Sequence, residues 1–252
     1  MYQPEDQYFL HNQYDTKTEF DNFLDYLLTF QEALREDFLR NENQTIADVV
    51  KQEGFENAKP RTIQQYNFQN ERWAPPKEAR YALKDAVKVN GETDYSGWTS
   101  TQIKYFSDGP DKISDPAPMI WVNKRFPTAA SLLKKFGDDC PIMDYVMLKP
   151  GAILSRHTGA TNIGSNRVRI HLPIFIPEGR CFLEINGKPI YWKDGPFGFN
   201  DEYVHSACNL TDEYRVIWMM DMERERVGLP ECKGANTELN KSLDEEIDYE
   251  RI

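Results

Sequence analysis

A chain of 252 residues can bury a sizeable core and fits one large domain, or one core with appendages. Its 41 acidic against 30 basic residues leave a net charge of −11, which argues against a general nucleic-acid binder and a partner of anionic membranes, since both want a basic face. No apolar run of about 18 residues marks a transmembrane helix, and the N-terminus lacks the basic flank and apolar stretch of a secretory signal. Cys140, Cys181, Cys208 and Cys232 form no CxxC pair and no disulfide framework, so a cytoplasmic protein with reduced thiols is expected. The sequons at Asn43 and Asn209 then read as chance matches.

Residues 1–15 are polar and read as an arm. Over 16–41, Phe20, Phe23, Leu24, Leu27, Leu28, Leu34 and Phe38 recur at helical spacing opposite an acidic face. Thr45 is the expected cap of a second short helix running to Glu53 and stopped by Gly54. Residues 55–74 read as irregular. Pro76 suits a first helical turn, and the helix it opens is expected to reach about Val89 and end at Asn90-Gly91. These helices read as support packed on a β core rather than as a docking surface. Residues 92–118 read as loop, holding Trp98 and a strand-like stretch at 102–106. Thr128 is expected to cap a helix that Gly137 ends, with Leu132, Leu133 and Phe136 facing inward.

The pattern then changes to period two. Strands are expected at 142–148 and 168–176, at 181–185 and 188–192 around the hairpin dipeptide Asn186-Gly187, and at 204–209 and 214–220 as a pair across a polar turn. In 168–176, Val168, Ile170, Leu172, Ile174 and Ile176 face one way, and Arg169 and His171 the other. The expected fold is mostly β with flanking helices, a sandwich or jelly roll. The expected boundaries are a helical region over 1–92 packed on the barrel, a jelly-roll core over 93–225, and a charged tail over 226–252.

Imidazole is the commonest protein metal ligand near neutral pH. His157 follows one expected strand and His205 lies on another, so the two can converge on one ion. Either alone reads more simply as an ordinary polar residue. Arg215 changes the weighting. It follows His205 by ten positions across the expected hairpin, which places it deeper in the same barrel. A buried guanidinium needs an acidic partner. No carboxylate occupies the facing period-two positions, so a ligand carboxylate held by a bidentate fork fits. Arg169 and His171 add donors on the inward face.

From about Trp98 to Asp221 the chain resembles the aspartyl/asparaginyl β-hydroxylases. The residues that carry the resemblance are Phe126-Pro127-Thr128-Ala129, Leu148-Lys149-Pro150-Gly151, His157-Thr158-Gly159-Ala160-Thr161-Asn162, Arg167-Val168-Arg169-Ile170-His171-Leu172, Phe199-Asn200-Asp201-Glu202-Tyr203-Val204-His205 and Tyr214-Arg215-Val216-Ile217. The resemblance implies a cupin-like double-stranded β-helix, that is, a jelly roll. It implies His157 and His205 as catalytic Fe(II) ligands, Arg215 on the distal carboxylate of 2-oxoglutarate, Arg169 near the metal-binding end of that co-substrate, and His171 beside it. The implied reaction uses O2, releases succinate and CO2, and hydroxylates an unactivated C–H bond of an amino-acid-like substrate, either a peptidyl residue or a free small molecule.

The chain departs from the pattern in three places. Val146 stands where family members place a serine that helps bind the keto acid. The 161–167 segment is longer by a few residues. The N-terminal 90 residues carry no family motif, so the substrate does not transfer, and the oligomeric state stays open. Gly159 occupies the place where most iron/2-oxoglutarate enzymes carry a carboxylate ligand. Hydroxylases with the His-Thr-Gly motif share this glycine, and iron halogenases fill the same vacancy with halide. Asp201 is a candidate outer-shell carboxylate, although it reads more simply as a turn cap. Asp201 and Glu202 would repel a halide, while Arg156 and Arg167 would attract one. A hydroxylase is therefore expected, with a halogenase and a non-catalytic jelly-roll binding module as rivals.

Overall fold

The period-two segments fold into strands in the computed structural model, which describes residues 2–3, 6–41, 87–93, 97–104, 123–137, 139–159 and 166–232. The strands are β1 (Tyr8–Leu10), β2 (Val87–Val89), β3 (Glu92–Thr93), β4 (Trp98–Lys104), β5 (Ile142–Leu148), β6 (Ala152–His157), β7 (Arg167–Phe175), β8 (Cys181–Ile185), β9 (Lys188–Tyr191), β10 (Phe197–Phe199), β11 (His205–Asn209) and β12 (Arg215–Glu223). The helices are α1 (Glu19–Leu28), α2 (Gln31–Asn41) and α3 (Pro127–Phe136). One sheet has the order β1-β10-β7-β12-β5-β4, the other β3-β2-β6-β11-β8-β9. From β5 onward the chain passes back and forth: β5, β7, β10 and β12 lie in the first sheet, and β6, the β8–β9 hairpin and β11 in the second. That alternation, with antiparallel pairing throughout, is a jelly roll. Among the described residues no helix is long and apolar enough to cross a membrane.

Two cores follow from the two faces of the first sheet. Val168, Ile170, Leu172 and Ile174 of β7 and Val216, Trp218 and Met220 of β12 pack outward against Phe20, Leu24, Leu34, Phe38 and Leu132 of the helices. Val146, Leu148, Ile217 and Met219 face inward and meet Leu154, Leu183 and Ile185 of the second sheet. Arg169 and His171 alternate with the outward residues of β7, and so point into the barrel. The close approach of α1 requires a glycine in β10: a Cβ on Gly198 would lie 2.7 Å from Val168 Cγ2 and 2.8 Å from Phe20 Cζ.

Several expectations change. The 16–41 helix is two helices, because the Thr29 hydroxyl donates to the Tyr26 carbonyl and ends α1. The N-terminal arm contains β1, which pairs with β10 and buries Phe9 against Tyr2 and Phe20. Val87–Val89 is a strand, not a helix end; Asn90-Gly91 makes the β2–β3 turn, both residues at positive φ. The strand expected at 102–106 begins at Trp98. With β1, β2 and β3, the sheets draw on residues before the expected boundary at 93. The charged tail starts later than 226, since Val227, Leu229 and Cys232 are buried. The strands β11 and β12 are not a hairpin: β11 pairs with β6 and β8, and β12 with β5 and β7, in opposite sheets. The expected helix at 45–53, the irregular stretch at 55–74, the helix opening at Pro76 as far as 86, and residues 233–252 lie outside the described residues.

The α3 N-terminus departs from expectation too. Pro127 is its first residue, and the cap residue Phe126 offers no side-chain capping hydrogen bond. Asp37 of α2 takes over: its Oδ2 accepts the backbone N–H groups of Thr128 at 2.8 Å and Ala129 at 3.4 Å. A buried carboxylate from one helix thus satisfies the open donors of another and complements its dipole. Asp37→Ala is expected to lower the unfolding free energy by about 1–2 kcal/mol. Urea unfolding followed by circular dichroism measures this, and a variant as stable as the parent would show that the tether contributes nothing.

Candidate active site

His157 ends β6 and His205 opens β11, and the two are direct cross-strand partners. Strict alternation after Ala152 and Leu154 would turn His157 outward. A bulge prevents this: Ala207 faces Leu154 but His205 faces His157, so β6 carries one extra residue. The bulge turns His157 in, and Arg156 out onto the buried Glu184, with Nη2–Oε1 at 3.2 Å. The two imidazoles lie 4.2 Å apart, centroid to centroid. Each directs Nδ1 at a backbone carbonyl, His157 at Ser155 and His205 at Tyr203, both at 2.8 Å. A carbonyl only accepts, so Nδ1 carries the proton and both Nε2 lone pairs stay open. Burial lowers the His157 pKa to about 3, with His205 adding to the effect, and burial lowers that of His205 to about 4. Both rings are therefore neutral near pH 7, the state that binds a metal.

Asp201 completes this corner. Its Oδ1 lies 3.3 Å from His205 Nε2 and 2.6 Å from Arg169 Nη1. Arg169 also grips Asp221 in a bidentate fork, Nε–Oδ1 at 2.7 Å and Nη2–Oδ2 at 2.8 Å. Gly159 donates its N–H to the Asp201 carbonyl at 2.7 Å. A Cβ at Gly159 would sit 1.5 Å from Asp201 Oδ2 and 2.1 Å from its Cγ. The Asp201 carboxylate thus fills the space that a side chain at 159 would occupy.

Arg215 opens β12 opposite Leu148 and is 2% exposed. Its Nε and Nη1 have no hydrogen-bond partner, and its guanidinium lies 4.3 Å over the Trp192 ring. The titratable groups that reach it are the thiols of Cys181 and Cys208, which burial pushes up to about 11 and about 12. Among the described residues no anion balances it, and burial lowers its own pKa to about 10. The Trp192 indole donates to His171 Nδ1 at 3.2 Å. Indole only donates, so neutral His171 carries its proton on Nε2. Burial, then Arg215 and Arg169, hold the His171 pKa well below its usual value. Ring contacts run from Trp192 through His171 and Phe199 to His205, with centroids 6.1, 5.1 and 5.1 Å apart.

The barrel interior therefore gathers His157, His205, Arg169 and His171, and joins Arg215 to them through Trp192. Arg215 reaches the interior from the sheet opposite His205, not from a neighbouring strand. Asp221 was not among the expected residues, although even spacing from Arg215 puts it on the same face. Trp192 gave no signal, since its aim depends on a 3-10 turn after β9.

Residues 61–225, well over half of the chain, match the family profile described as aspartyl/asparaginyl beta-hydroxylase. The chain belongs to this family. The mouse aspartate beta-hydroxylase domain-containing protein 2 is 34% identical over 100 residues, which are 38% of this chain and 27% of that protein. The ornithine lipid ester-linked acyl 2-hydroxylase of Rhizobium tropici is 30% identical over 80 residues, 31% of this chain and 27% of that protein. The matches thus span about a quarter of the length of these relatives. Among solved structures, a 2OG-Fe(II) oxygenase-family oxidoreductase from Burkholderia pseudomallei aligns over 55% of this chain and 70% of its own, with 12% identity and a TM-score of 0.34.

Among the described residues no three His, Cys, Asp or Glu side chains form a ready-made metal centre. The chain's own potential ligands are the two open Nε2 atoms, with Asp201 beside them but held by Arg169. Gly159→Ala would force Asp201 aside, and overpacking of this kind costs about 1–3 kcal/mol. In urea unfolding that loss is expected to shrink when Asp201→Ala is introduced as well, because the clash then has no partner. Equal losses in both backgrounds would separate Gly159 from Asp201.

Proposed function

We propose that this chain is an Fe(II)- and 2-oxoglutarate-dependent hydroxylase acting on an amino-acid-like substrate, a peptidyl residue or a free small molecule. The observation that carries the proposal is Arg215, a buried cation with two open donors and, among the described residues, no anion. A dicarboxylate co-substrate supplies that anion through a two-point contact. His157 and His205 would hold the iron through Nε2. An acceptor lone pair on His205 faces the Asp201 carboxylate at 3.3 Å, and a cation between them turns repulsion into attraction. When bound, iron and 2-oxoglutarate supply the oxidising chemistry: O2 is consumed, the keto acid leaves as succinate and CO2, and one oxygen atom enters a substrate C–H bond.

The protein's own residues bind and orient. Arg215 fixes the far carboxylate of the keto acid. His171 offers a neutral N–H, its tautomer set by Trp192. Val146 is apolar and buried in the inner core, so no hydroxyl assists there. Arg169 would stand at the metal end, but its guanidinium serves Asp201 and Asp221 first. Phe197 and Phe199 keep the inner wall apolar.

A halogenase would need a cationic niche beside Gly159. That space holds the Asp201 carboxylate, Arg156 is turned out onto Glu184, and Arg167 Nη2 lies 3.8 Å from Glu223 Oε1. A non-catalytic binding module has no use for an unpaired deep guanidinium together with two open imidazoles. The names of the relatives point to more than one substrate type, so the substrate is not carried by family membership.

Anaerobic titration with Fe(II) and then 2-oxoglutarate, read as visible charge-transfer absorption, tests the assignment. His157→Ala and His205→Ala should each abolish iron binding at micromolar metal. Arg215→Ala should weaken 2-oxoglutarate binding about 30-fold or more, since removing one partner of a buried charge pair costs about 2–5 kcal/mol. Iron affinity should change far less in Arg215→Ala. Parent-like keto-acid affinity in that variant would refute the assignment.

A further inference from the structure

Asp144 is a polar group of the inner wall to which the chemistry above gives no task. On β5, Met143 and Tyr145 join the outer core and Ile142, Val146 and Leu148 the inner one, so Asp144 points inward. It is 1% exposed. Its cross-strand neighbours are Met219 on β12 and Gln102 on β4, and Met219 in turn faces His171 on β7. The Ile103 backbone N–H holds one carboxyl oxygen. The other, Oδ1, has no hydrogen-bond partner.

The surroundings state what is missing. Asp221 lies diagonally across the same face, about 7–8 Å away by sheet geometry. Among the described residues Arg169 is the cation that reaches Asp144, and its guanidinium already holds Asp221 and Asp201. Arg215 faces Leu148, four residues along β5 and roughly 13 Å away. Burial, then Asp221, push the Asp144 pKa well above the usual carboxyl range. Among the described residues this wall has an open acceptor in acidic company and no donor for it.

We propose that Asp144 selects the substrate by receiving a cationic group, an ammonium or a guanidinium, on the part of the substrate that lies along the inner wall beside Met219. The inference rests on the hydroxylase assignment. A donor that brings its own positive charge satisfies Oδ1 and offsets Asp221 together. An acidic side chain in the same place meets two carboxyl groups, and an apolar one leaves Oδ1 unpaired, so both are rejected. The chain therefore favours a basic substrate, although its family is named for acidic and amide residues.

The test uses the full chain with Fe(II), O2 and 2-oxoglutarate. The probes are acetylated, amidated tripeptides Gly-X-Gly with X as Lys, Arg, Asn, Asp, Glu or Leu, together with the six free amino acids. Succinate formation and direct 2-oxoglutarate binding are both measured. Lys or Arg probes should raise turnover about tenfold or more above Asp or Glu probes. Asp144→Asn should reduce kcat/KM for the basic probes about 30-fold, with the loss falling on KM. Asp144→Lys should move the preference toward acidic probes. An acidic or neutral preference in the parent, or the same ranking in Asp144→Asn, overturns the inference. The parent ranking decides alone if neither variant folds. Keto-acid binding and turnover that no basic probe raises also overturns it and leaves the hydroxylase assignment standing. Neither binding nor turnover of 2-oxoglutarate overturns both.

Discussion

The site depends on one guanidinium. Arg169 projects from β7 into the barrel, forks onto Asp221 of β12 and reaches Asp201 in the turn before β11. It links strands of the first sheet to the segment that enters the second. Two carboxyl groups close together in a buried corner repel each other unless a cation lies between them, and removing such a partner costs about 3–5 kcal/mol. The position of Asp201 follows from this contact. So does its distance from His205, and so does the exclusion of any side chain at residue 159. The His205 corner of the site is an electrostatic unit rather than a set of independent ligands.

Much of the barrel was legible because its strands alternate. The bounds of β5 and β8 agree with the expected ones, β9 after the Asn186-Gly187 turn ends one residue early at Tyr191, and the inward aim of Arg169 and His171 follows from period two alone. Asn90-Gly91 carried the same hairpin signal, but its flanking strands span three and two residues, too short to show a period. β1 hid for the same reason. Pairing was the larger loss. His205 and Arg215 are close in sequence across a polar turn, which suggests a hairpin, yet a jelly roll uses such turns to cross between sheets. Asp221 as partner of Arg169 required knowing that β7 lies beside β12, a non-local fact. The inward aim of His157 required a bulge that no alternation rule contains.

Gly159 shows how an absent side chain becomes intelligible only in three dimensions. In sequence it is a gap in a ligand triad. In the fold it is the surface on which Asp201 lies, held from below by its own carbonyl accepting the Gly159 N–H. A carboxylate still stands at that corner, but it comes from the strand entry before His205 instead of from the residue after His157. Being tied to Arg169, it carries less free charge than a ligand would, and it leaves the two imidazoles as the protein's open donors.

The inner wall is ordered by charge along the strand direction. Among the described residues, Arg215 lies at one end with no anion, while Asp144, Asp201 and Asp221 lie toward the other with Arg169 as their shared cation. Each end is unbalanced with the opposite sign. A molecule that is anionic at its far end and binds a divalent cation at its near end corrects both at once, and 2-oxoglutarate on iron has that polarity. The reverse orientation would set carboxylate against carboxylate at Asp201 and leave Arg215 unpaired. Burial enforces the choice: at 2% exposure for Arg215 and 3% for His205, water does little to screen either error. Trp192 makes the order continuous, with its face against the Arg215 cation and its N–H on His171. One apolar ring thus spaces the deep cation from the imidazole corner and sets the tautomer of the donor between them.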